Sequence, residues 1–233
     1  MEPTQKLFII HGWTYNLEKW TVITDLLTKE GFRPVQLKVP GLASRSKKVW
    51  DIDSYMAWLD QQLEGEEHPI VIGHSNGGRI ALAYAQKYPE RLAQLILIDS
   101  AGIPNDHYLT AKLKLKTLRG VSKLGQPVKR VPGVRRVFYK IIGARDYEQA
   151  PPNMKKTMAN MLAADKTIHL RSIKTPVTLV WGRNDSTTPL RDGRLMRRKI
   201  RGAKLFVVEG ARHAPMATHP QKVAQIIAKV VQP

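Results

Sequence analysis

Residues 69–82 read Pro-Ile-Val-Ile-Gly-His-Ser-Asn-Gly-Gly-Arg-Ile-Ala-Leu, and the predicted fold is built outward from this stretch. An apolar run of strand length leads into Gly73-x-Ser75-x-Gly77, and apolar residues at helical spacing follow. This order predicts a strand, a sharp turn and a helix, with the hydroxyl of Ser75 at the apex of the turn. The motif alone is a weak signal, because a glycine-rich connection whose serine has no catalytic role can have the same sequence pattern.

Strand-like runs alternate with helix-like segments over most of the chain. Six segments are predicted strands: residues 7–10, 34–39, 70–72, 95–98, 177–181 and 205–208. Runs that are apolar throughout are typical of strands buried on both faces, and hence of a parallel sheet. We therefore predict an α/β fold with about six mostly parallel strands flanked by helices.

The alternation breaks after Gly102. Residues 103–171 hold no clear strand, and they read as basic amphipathic helices separated by glycine and proline. We predict a core formed by residues 1–102 and 172–233, with a basic helical cap, residues 103–171, inserted after the fourth strand. Three methionines at helical spacing, Met154, Met158 and Met161, could belong to the core or line an apolar cleft.

Positive charge is unevenly distributed along the 233 residues, whose formal net charge is +19. Residues 1–100 hold 11 Lys and Arg against 12 Asp and Glu, whereas residues 101–171 hold 15 against 4 and residues 172–233 hold 12 against 3. Such asymmetry is typical of proteins that bind an acidic partner, and equally of a solvated basic surface. An acidic protein or other anionic partner at the predicted cap is therefore one of two open interpretations.

The composition excludes several classes of protein. Cysteine is absent, which excludes disulfides, thiolate metal sites and a cysteine nucleophile. No apolar run is long enough for a membrane span, and the first residues lack the basic and apolar regions of a secretory signal. We therefore expect a cytoplasmic protein.

Five polar residues follow predicted strands: His11, Ser75, Asp99, Asp185 and His213. Because the carboxyl ends of parallel strands meet at one edge of a sheet, where ligands bind, we expect these side chains to lie together. A serine hydroxyl is a poor nucleophile near neutral pH and needs a base, which itself needs an anion. The chain order Ser75, Asp185, His213 supplies all three, with Asp99 as the alternative acid.

Four motifs carry a resemblance to a known family: residues 11–13 (His-Gly-Trp), 73–78 (Gly-His-Ser-Asn-Gly-Gly), 181–185 (Trp-Gly-Arg-Asn-Asp) and 210–215 (Gly-Ala-Arg-His-Ala-Pro). In order and context they resemble the α/β-hydrolase family along nearly the whole chain outside residues 103–171. The resemblance implies an α/β-hydrolase fold with a helical cap over the active site. We expect six parallel strands here, where the family usually has eight mixed ones.

The resemblance also implies a role for each site residue. Ser75 would be the nucleophile, His213 the general base and then general acid, and Asp185 the residue that orients His213. The main-chain N–H groups of Trp13 and Asn76 would form the oxyanion hole. Neither a metal nor an organic cofactor would be required. A serine at the turn distinguishes the chain from haloalkane dehalogenases and epoxide hydrolases, which have aspartate there.

Two further histidines near the predicted edge are expected to be structural. His11 would brace its own loop, and His74 would pack beside the turn that carries the serine. His219 precedes a predicted helix and is expected at the surface, and the remaining histidines show no metal-ligand spacing.

The predicted function is that of a serine hydrolase that cleaves a small or medium acyl compound, foremost a carboxylic ester, through an acyl-enzyme. Residues 12–13 (Gly-Trp), with Asn16 and Trp20 downstream, are similar to the family members that hydrolyse pimeloyl-carrier-protein methyl esters, for which a basic cap would suit an acidic carrier. A carbon–carbon bond hydrolase of the same family has the same triad. A catalytically idle fold that binds an anionic partner through residues 112–145 is the third alternative.

Overall fold

Six parallel strands form the centre of the protein. The computed structural model describes residues 5–14, 16–104 and 150–231. Within these residues the strands are β1 (Lys6–Ile10), β2 (Arg33–Leu37), β3 (Ile70–His74), β4 (Gln94–Ile98), β5 (Val177–Gly182) and β6 (Lys204–Val208). They pair in the order β2-β1-β3-β4-β5-β6, and each neighbouring pair is parallel. The predicted six-stranded α/β sheet is confirmed.

Helices cover both faces of the sheet. They are α1 (Thr21–Lys29), α2 (Ile52–Gln62), α3 (Asn76–Lys87), α4 (Pro152–Ala164), α5 (Leu190–Lys199), α6 (Pro215–Thr218) and α7 (Pro220–Val231), with 3-10 turns at Glu18–Trp20, Asp165–Thr167 and Leu170–Ser172. Each helix in the described ranges is too short or too polar to cross a membrane.

Alternation along the strands divides the core into two layers, because successive side chains point to opposite faces. Phe8 and Ile10 of β1 belong to a buried cluster that includes residues of α2, α3, α4 and α5. Leu7 and Ile9 belong to a second cluster that includes residues of α1 and α7. All four side chains are at most 4% exposed, and full burial of each stabilises the fold by about 1.5–3 kcal/mol.

β2 ends two residues earlier than predicted. The N–H of Val39 donates to His11 Nε2 at 3.2 Å instead of continuing the ladder with β1. The difference places a side chain from the loop after β1, which no strand pattern encodes, at the end of the neighbouring strand.

α4 lies within the segment predicted as a cap, and it packs on the core. Thr157 Oγ1 accepts a hydrogen bond from the Trp50 N–H at 2.9 Å, which ties α4 to the loop before α2. Met154 and Met161 are buried in the cluster that α4 shares with α2 and α3, so the core interpretation of these methionines is right. The division into core and cap stays a prediction, because residues 105–149, with the basic segment 112–145, lie outside the described residues.

Candidate active site

Ser75 occupies a strained turn between β3 and α3. Its backbone angles, φ 52° and ψ −117°, lie outside the regions that L residues ordinarily adopt. Such strain persists only where the surrounding structure enforces it. The Ser75 N–H donates to Ile98 O at 3.2 Å, and the Ser75 carbonyl accepts from the Ala101 N–H at 3.0 Å. The end of β4 thus holds the predicted turn on both sides of the serine.

Glycines let the main chain pass at close range around this turn. A Cβ on Gly77 would lie 2.1 Å from Ile10 O, which leaves no room for any other residue. A Cβ on Gly12 would lie 2.9 Å from the Cβ of Ser75. The loop after β1 is therefore pressed against the turn that carries the serine.

Three side chains from three loops form a continuous hydrogen-bond relay. Ser75 Oγ donates to His213 Nε2 at 3.0 Å, and His213 Nδ1 donates to Asp185 Oδ2 at 2.8 Å. The carboxylate selects the imidazole tautomer whose Nε2 can accept the serine proton. The Asp185 side chain is fully buried, whereas 23% of the His213 side chain is exposed. The relay therefore runs from a fully buried carboxylate to a partly exposed imidazole.

Hydrogen bonds hold Asp185 as an anion. Oδ1 accepts from the Thr187 N–H at 2.7 Å and the Thr188 N–H at 3.1 Å, and Oδ2 accepts from Thr188 Oγ1 at 2.7 Å. Burial alone would raise the pKa of Asp185, but the hydrogen bonds from His213, Thr188 and Thr187 outweigh it and hold the pKa below its ordinary value. Sequence reasoning missed Thr188. The signal was an aspartate followed by hydroxyl residues, a pattern typical of side-chain-capped turns.

Asp99, the alternative acid, is bound to the sheet instead of the imidazole. Its Oδ1 accepts from the Gly182 N–H at 2.8 Å, and its Oδ2 is buried with no partner in the part of the chain that the structure describes. Burial, followed by the neighbouring charge of Asp185, raises the pKa of Asp99 to about 9. Near neutral pH Asp99 is a neutral carboxyl group, and Asp185 is the acid that meets His213.

His11 and His74 support the loops of the site. His11 Nδ1 donates to Gly12 O at 2.7 Å, and its Nε2 accepts from the Val39 N–H. His74 Nε2 donates to the His213 carbonyl oxygen at 2.8 Å, a contact that the sequence did not indicate. Burial lowers the pKa of both rings, that of His74 to about 3 with a further contribution from His213. Both rings support the main chain near the site, in line with the structural roles predicted for them.

The predicted oxyanion-hole residues flank the serine. Trp13 follows Gly12 in the loop pressed against the turn, and Asn76 is the first residue of α3. The first N–H groups of a helix lack partners within the helix and lie at its positive end. Within residues 5–14, 16–104 and 150–231, the main-chain N–H groups of Trp13 and Asn76 have no protein acceptor. Within the described part of the chain, no acceptor competes with a developing negative charge for these two donors.

One group of potential metal ligands in the described ranges is close together. The ligand atoms of His74, Asp99 and His213 lie within 4.8 Å of one another. Both ring nitrogens of His213 and Nε2 of His74 are already engaged in hydrogen bonds. The arrangement thus suits proton transfer along the relay better than coordination of an ion.

A parallel sheet covered by helices, with a serine after β3, an acid after β5 and a histidine after β6, has the architecture of the α/β class of hydrolases. The family model described as alpha/beta hydrolase fold matches residues 6–128, more than half of the chain. A second model, described as TAP-like protein, matches residues 151–230. The chain belongs to the α/β-hydrolase fold family.

Known proteins similar to this chain include esterases. The pimeloyl-[acyl-carrier protein] methyl ester esterase of Aromatoleum aromaticum is 25% identical over 254 residues, with 97% of this chain and 98% of that protein covered. The enzyme of the same name from Aeromonas hydrophila subsp. hydrophila is 26% identical over 246 residues, with 97% and 94% covered. The solved structure of a thermophilic esterase from Thermogutta terrifontis shares the fold, with a TM-score of 0.65 at 22% sequence identity. The match covers 97% of this chain and 89% of the esterase chain.

Proposed function

We propose that this α/β hydrolase cleaves a carboxylic ester through a covalent acyl-enzyme. The observation that carries the proposal is the relay from Ser75 through His213 to Asp185, with contacts of 3.0 and 2.8 Å. A hydroxyl with a proton acceptor, next to free N–H donors, is the arrangement that acyl transfer requires. The names of the esterase relatives support the same reaction.

The proposed reaction assigns one role to each side chain. Ser75 Oγ attacks the ester carbonyl while its proton passes to His213 Nε2, and the Asp185 carboxylate stabilises the imidazolium. The tetrahedral oxyanion accepts hydrogen bonds from the main-chain N–H groups of Trp13 and Asn76. His213 then gives its proton to the departing alkoxide, and a water activated by the same imidazole releases the acid and regenerates Ser75.

The decisive experiment removes the proposed nucleophile and base separately. Ser75→Ala or His213→Ala should lower kcat for ester hydrolysis by about 10⁴-fold or more, and Ser75→Ala should abolish stoichiometric labelling by a fluorophosphonate. Ser100→Ala is the matched control, because Ser100 is a buried serine at the same edge whose hydroxyl donates to Ala101 O at 2.7 Å. The control should retain activity and labelling.

Two outcomes would contradict the proposal. Ester turnover retained by Ser75→Ala would exclude this residue as the nucleophile. Turnover of dienoate substrates without turnover of esters would favour the carbon–carbon bond hydrolase, which has the same triad.

An acyl group presented by an acidic carrier protein is the finer proposal for the substrate. It is supported by the names of the relatives and by exposed cations within the segment predicted as a cap, such as Lys156, Lys166 and Arg171. Raising the salt concentration from about 0.05 to about 0.5 M should lower kcat/KM for a carrier-bound methyl ester about 10-fold, because salt screens the attraction. The free ester should change less than about 2-fold over the same range. Equal salt dependence would contradict a charged docking partner.

The cytoplasmic location expected from the cysteine-free sequence remains a prediction. The small or medium size of the acyl group is likewise a proposal, which a series of esters of graded length would test.

A further inference from the structure

Arg79 and Asp165 form a buried ion pair behind the serine turn. Arg79 Nε donates to Asp165 Oδ1 at 2.6 Å and Arg79 Nη2 donates to Oδ2 at 3.0 Å, so both carboxylate oxygens are bound. The two side chains are 5% and 4% exposed. Arg79 lies in the first turn of α3, and Asp165 directly follows α4. The pair therefore joins the helix that begins at the serine turn to the segment predicted as a cap.

The same guanidinium binds Asn76. Arg79 Nη1 donates to Asn76 Oδ1 at 2.6 Å. Because a guanidinium has only donors, the amide oxygen must face it and the amide nitrogen must point away. Asn76 Nδ2 is buried and has no acceptor in the described part of the chain. An unmet buried donor is unfavourable, so the contact with Arg79 is what sets the orientation of the Asn76 side chain.

A buried ion pair is by itself weak evidence for a contribution to stability. The desolvation of two buried charges can exceed their mutual attraction, and apolar residues of similar volume are often equally stable. Burial raises the pKa of Asp165 and the guanidinium of Arg79 opposes that rise, so the carboxylate depends on its partner. The location of the pair is more informative. The Arg79 N–H also donates to Ser75 O at 3.2 Å, which places Arg79 in contact with both residues at the apex of the turn.

We propose that Arg79 and Asp165 are positioning residues that hold Asn76, and with it one donor of the oxyanion hole. The inference rests on the proposed function. Arg79 binds Ser75 through its main chain and Asn76 through its side chain, and Asp165 fixes the guanidinium between them. Oxyanion donors act on the transition state more than on the bound substrate. Loss of the pair should therefore change kcat more than KM.

A double-mutant cycle on ester hydrolysis tests this role. Arg79→Lys keeps a positive charge beside Asp165, but an ammonium lacks the planar fork of donors with which the guanidinium binds both carboxylate oxygens while a third N–H binds Asn76. We expect kcat to fall about 10- to 100-fold with KM changed less than about 2-fold, because the oxyanion donor is displaced. In the Asn76→Ala background the same change should lower kcat less than about 2-fold, because no side chain remains to be positioned.

Two further variants separate positioning from folding. Tyr84→Phe is the matched control on the same helix: it removes the partly buried hydrogen bond from Tyr84 Oη to Asp60 Oδ1, 2.7 Å long, and should leave kcat unchanged. The double substitution Arg79→Met with Asp165→Leu removes both charges together, so that no unpaired charge is left buried. Thermal unfolding should show this variant to be folded, and its kcat should fall as in Arg79→Lys.

The outcomes distinguish this inference from the proposed function. Unchanged kcat in Arg79→Lys, or an equal loss in the wild-type and Asn76→Ala backgrounds, would overturn the inference and leave the proposed function in place when Ser75→Ala is inactive. Turnover retained by Ser75→Ala would overturn the proposed function and this inference with it.

Discussion

Asp99 and Asp185 follow neighbouring parallel strands, yet their carboxyl groups are in opposite states. Asp185 accepts hydrogen bonds from His213, Thr187 and Thr188, and its pKa is lowered despite burial. Asp99 accepts one main-chain hydrogen bond on Oδ1, and burial raises its pKa to about 9. The difference teaches that local donors, more than position in the sheet, decide which acid can stabilise an imidazolium.

Among the variants that test this comparison, Asp185→Asn should lower kcat the most. The amide keeps the shape of the side chain but favours the wrong imidazole tautomer, so kcat should fall on the order of 10⁴-fold. Steady-state kinetics on the ester that the wild type cleaves would measure the loss. Asp99→Asn serves as the control, and equal losses in the two variants would show that the acids share the role.

Thr188→Val should lower kcat by a smaller factor than Asp185→Asn. The valine removes the hydroxyl that donates to Asp185 Oδ2 at 2.7 Å, and a hydrogen bond to a charged group contributes about 1.5–3 kcal/mol. We expect kcat to fall about 10-fold and the pKa of Asp185 to rise. Thr188→Ser retains the hydroxyl and should restore most of the activity. A serine variant as impaired as the valine variant would show that shape, and not the donor, matters at this position.

Asp99→Asn should have the smallest effect on catalysis, less than about 3-fold in kcat, because this carboxyl does not bind the imidazole. Its effect on stability should depend on pH. A carboxyl with a raised folded-state pKa keeps a proton that the unfolded chain releases, so the wild type loses stability as pH rises from about 4 to about 9. Asparagine cannot ionise, so the variant does not lose stability in this way as pH rises.

Urea denaturation at several pH values would measure that dependence. The difference in unfolding free energy should increasingly favour Asp99→Asn over wild type as pH rises, with a slope of at most about 1.4 kcal/mol per pH unit. A difference that stays constant with pH would show that Asp99 is already ionised in the folded protein.

Features encoded in short segments were predictable. The strand before Ser75, the glycines around it and the start of the helix after it all lie within residues 69–82, and the structure contains each of them. The interpretation of His11 and His74 as structural residues was also right. His11 directly follows β1 and His74 is the last residue of β3, and the loops beside these buried strands need hydrogen-bond partners.

Features that depend on distant partners were not predictable. Arg79 and Asp165 are 86 residues apart, and no local pattern pairs them. Thr188 is close to Asp185 in sequence, but its importance appears only when His213 arrives from the loop after β6. A hydrogen bond needs both partners within about 3 Å, and one chain segment can specify only its own half of such a contact.

By itself, the sequence determined the parallel α/β architecture, the serine turn and the order of serine, acid and histidine, because apolar periodicity and glycine spacing act over a few residues. Only the tertiary structure decided that Asp185 and not Asp99 meets His213, and that a buried ion pair holds Asn76. The physical reason is that protonation state and side-chain orientation depend on burial and on donors brought together from separate strands and loops.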